Sequence, residues 1–179
     1  MSSLKAIVEN LNDAQQCLLR AADAVPAQQW RAVPGEGQWS AGEVVCHLII
    51  IERAILKSTD RLLQKAPKTL PFYKRFHIPM AIVEARMMRL KTPIPIESEM
   101  LRGKEEMLAE LREVRERTLA FIEETTERDL SKYHMPHPFL GTLNTYEWFQ
   151  LIASHEIRHT KQMKEIAARL PKAVAYLQK

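Results

Sequence analysis

The sequence has few of the residues that build β-rich or disulfide-linked folds. Its 179 residues include 5 glycines, too few for the turns of a many-stranded β fold, and 2 cysteines, too few for a disulfide framework. No apolar run approaches the roughly 18–20 residues that cross a bilayer, and no apolar segment of a secretion signal follows Met1. We therefore expect a cytoplasmic protein with no membrane partner.

The charge is nearly balanced, which argues against a nucleic-acid partner. Lys and Arg together number 26 against 22 Asp and Glu, a formal net charge of +4. Basic residues dominate 57–91 and acidic residues dominate 97–130, so the two segments can neutralise each other. No groove-reading helix or stacking platform accompanies the basic segment. Apolar residues make up 46% of the chain, enough for a full core, and we expect one domain over residues 1–179.

Apolar residues recur at steps of three and four along most of the chain, the pattern of amphipathic helices. The pattern predicts four long helices, at about 3–25, 40–65, 98–126 and 144–170. Ser40 with Glu43, and Asn144 with Glu147, have the spacing of a capping box at the start of a helix. The alternating charges at 112–117 are most simply a solvated helix face. No segment gives a convincing strand.

The segment 66–97 is rich in proline and is the least regular part of the sequence. A short helix at about 78–90 is plausible within it. A crossover of this length can join two helices that point the same way, whereas short loops usually join antiparallel neighbours. The predicted fold is an all-α four-helix bundle with a long Pro-rich crossover.

Three histidines are predicted to face the interior of this bundle. His155 and His159 continue the apolar stripe of the last helix, and a four-residue step places them about 40° and one turn apart. His47 lies on the apolar stripe of the second helix. Three imidazoles can bind one metal ion and leave a coordination position open, as in catalytic sites. The alternative for each is a hydrogen-bonded histidine of the core.

Residues 155–159 also spell H-E-x-x-H, the motif of zinc proteases. Arg158 places a charge in a segment that those proteases keep largely apolar, and no strand is predicted to align a peptide. Glu156 with His159 is one half of a di-iron signature, but the second half is missing. We set both interpretations aside. Glu156 is the candidate catalytic base, although a surface ion pair with Arg158 or Lys161 would explain it as well.

Three further polar residues lie near the predicted centre. Glu43 shares the face of His47 and either orients that ring or only caps its helix. Gln162 lies one turn beyond His159 and is a candidate hydrogen-bond partner of it, or an ordinary boundary residue. His137, between two prolines, either lines the entrance of the site or forms a local hydrogen bond in a loop.

Three blocks of the sequence together resemble the DinB/YfiT-like superfamily over nearly the whole chain. They are Trp39-Ser40-x-x-Glu43-x-x-x-His47-Leu48, His137-Pro138-x-x-Gly141-x-Leu143-x-x-x-Glu147-Trp148 and His155-Glu156-x-Arg158-His159-x-x-Gln162. The resemblance implies an up-down-down-up four-helix bundle, commonly a homodimer, with a divalent metal on His47, His155 and His159. Characterised members of this superfamily include enzymes that use low-molecular-weight thiols, such as S-transferases and an isomerase.

These observations predict a divalent-metal-dependent enzyme that acts on a small molecule. Hydrolysis and low-molecular-weight-thiol S-transfer are the two expected reaction classes. Zinc or nickel suits a site of three imidazoles, and a low-molecular-weight thiol is a candidate cofactor. The alternative hypothesis is a non-catalytic bundle in which the metal stabilises the fold or senses a ligand.

Overall fold

The computed structural model of the protein describes residues 4–67 and 96–171. Four long helices dominate these two ranges: α1 (Leu4–Asp23), α2 (Ala41–Leu63), α3 (Lys104–Glu124) and α4 (Thr145–Arg169). Each lies within a few residues of its predicted position, except that α3 begins later because Ser98–Met100 form a separate 3-10 turn. The short helix predicted at 78–90 falls outside the described residues. None of the helices in the two described ranges is long and apolar enough to cross a membrane.

Both predicted capping boxes are present, and they define where the two histidine-bearing helices begin. Ser40 Oγ accepts a hydrogen bond from the Glu43 amide at 3.2 Å, and Glu43 Oε2 accepts one from the Ser40 amide at 2.7 Å. At α4, Asn144 Oδ1 and Glu147 Oε2 make the same reciprocal pair, at 3.1 and 2.7 Å. Each box satisfies amide groups that the first turn of a helix leaves without partners.

The expectation that the chain has no strand is wrong. β1 (His134–His137) pairs antiparallel with β2 (Gly141–Asn144) in a small hairpin before α4. Four-residue strands are too short for an alternating pattern to stand out, and Pro136 within β1 argues against a strand. Gly141 adopts a φ of 95°, a conformation that favours glycine, at the start of β2.

The helix directions follow first from contacts between α1 and α3. Arg115 of α3 donates a hydrogen bond to the Leu11 carbonyl of α1. One turn later in α1, Gln15 Nε2 donates to the Leu111 carbonyl, which lies one turn earlier in α3, at 3.1 Å. The two helices therefore run antiparallel.

The helices α2 and α3 run in the same direction. Arg115 contacts Glu52 in the middle of α2, and just beyond the end of α3 Arg128 donates to the carbonyl of Leu63, the last residue of α2, at 3.3 Å. The long crossover between α2 and α3 makes this parallel arrangement feasible.

The last helix, α4, runs parallel to α1 and antiparallel to α2. Just beyond the end of α4, the Pro171 carbonyl accepts a hydrogen bond from Gln29, which follows α1, at 2.8 Å. Arg169, at the end of α4, donates to Gln38, which precedes α2, at 3.1 Å. The predicted up-down-down-up four-helix bundle is confirmed.

Apolar side chains fill the bundle in two main clusters. One, near the end of α1 and the start of α2, includes Trp30, whose indole N–H contacts Met107 Sδ at 3.4 Å. The other, toward the start of α4, includes Phe149 and Ile152. Along α4, His155 and His159 follow Ile152 of the second cluster and precede residues that join the first. The histidines therefore lie between two apolar regions.

Candidate metal centre

The structure brings His47, His155 and His159 together at one point. The Nε2 atom of His155 lies 3.2 Å from Nε2 of His47 and 3.1 Å from Nε2 of His159. A ligand nitrogen from each of the three residues lies within 4.8 Å of the others. Two helices that are antiparallel neighbours thus supply a group of donors that can hold one metal ion.

The three rings meet edge to face, so their nitrogens converge. The ring centroids are 5.0 Å apart for His47 and His155, 5.1 Å for His47 and His159, and 4.6 Å for His155 and His159. The interplanar angles of the three pairs are 71°, 62° and 87°.

Burial favours the neutral form of His47 and His155. His47 and His159 are buried and His155 is largely so. Desolvation lowers the pKa of His47 to about 4. It also lowers the pKa of His155 well below the ordinary value, and the neighbouring His159 and His47 lower it further. The neutral imidazole is the form that binds a metal.

Gln162 fixes a proton of His159 on Nδ1, the ring nitrogen that does not face the other two histidines. Its Oε1 atom lies 3.0 Å from His159 Nδ1, and an amide oxygen can only accept a hydrogen bond. The Nδ1 atom therefore carries the proton, and Nε2 presents a lone pair to the other two histidines. The candidate hydrogen bond between Gln162 and His159 is present, in the geometry by which outer residues orient metal-binding histidines.

Glu43 does not make the corresponding contact with His47. Its carboxylate accepts from both the amide and the hydroxyl group of Ser40, at 2.7 and 2.8 Å, while among the described residues His47 Nδ1 is buried without a hydrogen-bond partner. Of the two roles predicted for Glu43, the structure therefore shows the helix cap, and no contact between these two described residues would let Glu43 orient His47. The spacing that places Glu43 one turn before His47 also places it at the third position of α2, where its carboxylate caps the helix.

A cation fits this arrangement better than hydrogen bonding among the rings. His155 Nε2 lies within hydrogen-bond range of two other Nε2 atoms. It either carries a proton or presents a lone pair, so it cannot donate to one neighbour and accept from the other. Leaving a buried polar group unsatisfied costs about 1–3 kcal/mol. A divalent cation would accept all three lone pairs at once.

Aromatic side chains cover part of the centre. Trp39, directly before the cap of α2, stacks on His159 at a centroid distance of 6.1 Å and an interplanar angle of 10°. The same ring lies 5.0 Å from His47. The Trp39 ring thus forms a wall against two of the three histidines.

His137 closes the turn of the hairpin near this centre. Its Nδ1 atom accepts hydrogen bonds from the amides of Phe139 and Leu140, both at 3.1 Å, so the expected local hydrogen bond is present. Its ring also lies 5.3 Å from Trp148. His137 thus lies against the first turn of α4, the helix that carries His155 and His159.

Glu156 is a core residue, so the surface ion pair suggested with Arg158 or Lys161 is wrong. It is 1% exposed, and its Oε2 atom accepts a hydrogen bond from Arg115 Nη2 at 2.9 Å. Burial raises the pKa of Glu156 to about 7, an effect that Arg115 opposes. The carboxylate faces α3 rather than the histidines, because a one-residue step turns it about 100° away from His155. Among the described residues, no contact of Glu156 supports its role as a base.

Sequence reasoning missed Arg115 and Glu52. Arg115 was grouped with the solvated face of α3, yet it is 1% exposed and bound to Glu52 of α2 at 2.9 and 3.0 Å. Burial alone would lower the pKa of Arg115, but Glu156 and Glu52 hold it above the ordinary value. The available signal was positional: Arg115 lies four residues after Leu111 and three before Thr118, on the buried stripe of α3.

Comparison with known proteins agrees with this fold and site. The family model of the DinB superfamily matches residues 10–163, and the chain belongs to this superfamily. It is also similar to the uncharacterized protein YuaE of Bacillus subtilis (strain 168), with 30% identity over 142 residues, 78% of this chain and 84% of the relative. The matched range includes all three histidines.

Proposed function

We propose that this protein is a divalent-metal-dependent enzyme whose metal is held by His47, His155 and His159. The observation that carries the proposal is the convergence of three imidazole Nε2 atoms, with 3.1 and 3.2 Å separating His155 from its neighbours. Zinc or nickel suits such a donor set. Membership of the DinB superfamily, a metal-binding superfamily, supports it.

The donor set favours catalysis over a purely structural metal. A structural zinc site usually has four protein ligands, whereas the group found within the described residues has three. A divalent ion there would supply Lewis-acid chemistry toward a substrate oxygen or sulfur atom. Trp39 would shield the centre, and Gln162 would keep His159 oriented. Hydrolysis and S-transfer from a low-molecular-weight thiol are the reaction classes we propose.

Metal binding is the first test of this function. The purified protein is expected to bind about one equivalent of Zn²⁺ or Ni²⁺ per chain, measured by titration after chelation and by elemental analysis. The variant His155→Ala removes the central nitrogen and is expected to lose this equivalent. The variant His134→Gln, in β1 and outside the histidine group, is the matched control. Equal metal content in the parent and His155→Ala would contradict the proposal.

Activity then separates an enzyme from a bundle that only uses the metal for stability. The Zn²⁺- and Ni²⁺-loaded protein is incubated with ester and amide substrates, and with thiol donors paired with electrophilic acceptors. The proposal predicts turnover that the parent shows and His155→Ala lacks. Metal binding that raises the melting temperature without turnover of either substrate class would instead favour the structural role.

A further inference from the structure

Arg115 connects all four helices of the bundle through one buried guanidinium group. From α3, its Nε and Nη2 atoms bind the two carboxylate oxygens of Glu52 in α2, at 2.9 and 3.0 Å. Nη2 also binds Glu156 Oε2 in α4 at 2.9 Å, and Nη1 donates to the Leu11 carbonyl in α1. The three charged side chains are 1–3% exposed. We call Glu52, Arg115 and Glu156 the buried clamp.

Net stability is a poor explanation for this clamp. Charged groups lose hydration on burial, and replacing a buried ion pair by apolar residues of similar volume is often neutral or stabilising. A paired guanidinium and carboxylate do, however, fix direction and distance in a way that apolar contacts do not, because their two-pronged hydrogen bonds tolerate little rotation. The clamp is therefore better explained by the helices that it holds in place.

The clamp joins the same two helices that supply the histidines. Glu156 follows His155 directly in α4, and Glu52 lies five residues after His47 in α2, about 7.5 Å along the helix axis. In each of these two helices, histidine and glutamate lie on different faces. One face meets the histidines of the other helix, and the second face meets Arg115. Without Arg115, α2 and α4 would be free to rotate or move apart at a point less than two helical turns from the histidines.

We propose that Arg115 is a positioning residue of the metal centre, which binds Glu52 and Glu156 and thereby holds His47 within reach of His155 and His159. This inference rests on the proposed metal binding. It assigns to Arg115 no contact with the metal or with a substrate. Outer residues that orient metal ligands typically contribute 10–100-fold to metal affinity, so the effect of the clamp falls in a measurable range.

The first test compares two arginines of the same helix. Arg115→Met removes the clamp, whereas Arg117→Met removes an exposed guanidinium that pairs with Glu113 one turn earlier. Zn²⁺ affinity is measured by competition with a chromophoric chelator, and ligand geometry by the visible absorption of the Co²⁺-loaded protein. Arg115→Met is expected to bind Zn²⁺ about 10–100-fold more weakly with shifted Co²⁺ bands. Arg117→Met is expected to match the parent in both measurements.

A second variant removes the risk that unpaired carboxylates unfold the chain. Arg115→Met leaves Glu52 and Glu156 buried without their cation, which is strongly destabilising. The triple variant E52M/R115M/E156M replaces the whole clamp with apolar side chains and is expected to fold, as judged by far-ultraviolet circular dichroism. It is also expected to show the weakened Zn²⁺ affinity and the shifted Co²⁺ bands.

The outcomes of these tests distinguish the positioning role of the buried clamp from metal binding itself. A folded triple variant with the Zn²⁺ affinity and Co²⁺ spectrum of the parent would overturn the positioning role and leave the metal centre intact. A triple variant that stays unfolded in excess Zn²⁺ would also overturn it, because the clamp would then serve folding. A parent protein that binds neither Zn²⁺ nor Ni²⁺ would overturn the proposed function, and the positioning role with it.

Discussion

At the scale of single residues, the centre depends on which nitrogen of each imidazole carries a proton. Gln162 Oε1 holds the proton of His159 on Nδ1, so Nε2 is free to bind a metal. Among the residues that the structure describes, His47 has no such partner, and its Nδ1 atom is buried without a hydrogen bond. These two proposed ligands therefore differ in how firmly their rings are oriented, and the contribution of Gln162 can be isolated by mutation.

Replacing Gln162 with leucine is expected to weaken metal binding by about 10-fold, because removal of an outer hydrogen bond frees the His159 ring to rotate. Gln162→Glu is the matched variant: its carboxylate still accepts the Nδ1 proton, so the affinity for Zn²⁺ should stay at least at the parent value. Titration calorimetry with Zn²⁺ measures both. Equal affinities in the leucine variant and the parent would show that the hydrogen bond has no role in binding.

At the scale of elements, the capping boxes determine where α2 and α4 begin and therefore which faces carry the histidines. The Ser40 side chain is fully buried and accepts from the Glu43 amide at 3.2 Å. An N-cap of this kind contributes about 0.5–2 kcal/mol. Because the cap precedes His47 by two turns, its loss should affect the stability of the fold more than the geometry of the site.

Ser40→Ala is expected to lower the free energy of unfolding by about 1–2 kcal/mol, since the Glu43 amide then loses its acceptor and the Glu43 carboxylate loses the hydroxyl donor. Ser58→Ala, at an exposed position inside the same helix, is the control and should change stability by less than about 0.5 kcal/mol. Urea unfolding followed by circular dichroism measures the difference. A Ser40→Ala variant as stable as the parent would contradict the role of the cap.

The elements also show what the sequence could and could not predict. Long amphipathic helices and their caps leave a period and a spacing that are visible without a structure, and all four were predicted. The strands around Gly141 left no such pattern, because each spans only four residues and one includes a proline. Arg115 was misjudged for another reason. Its position on the apolar stripe of α3 indicated burial, but its charged neighbours in sequence outweighed that signal, and its partners in other helices are not visible in the sequence.

At the scale of the whole molecule, the up-down-down-up order makes α2 and α4 antiparallel neighbours. The second turn of α2 then meets the middle of α4, and His47 comes within hydrogen-bond range of His155, although the two lie 108 positions apart in sequence. Helical periodicity predicted that all three histidines face the interior. It could not show that they meet at one point, since that depends on how the two helices are rotated and how far each is displaced along its axis.

X-ray absorption spectroscopy of the Zn²⁺- or Ni²⁺-loaded protein tests the central claim most directly, because it reports the ligands of the bound ion itself. The account predicts three imidazole nitrogens, at about 2.0–2.1 Å for zinc, with one imidazole lost in His47→Ala. A first shell that includes sulfur, or one that keeps the same number of imidazoles after His47→Ala, would contradict it.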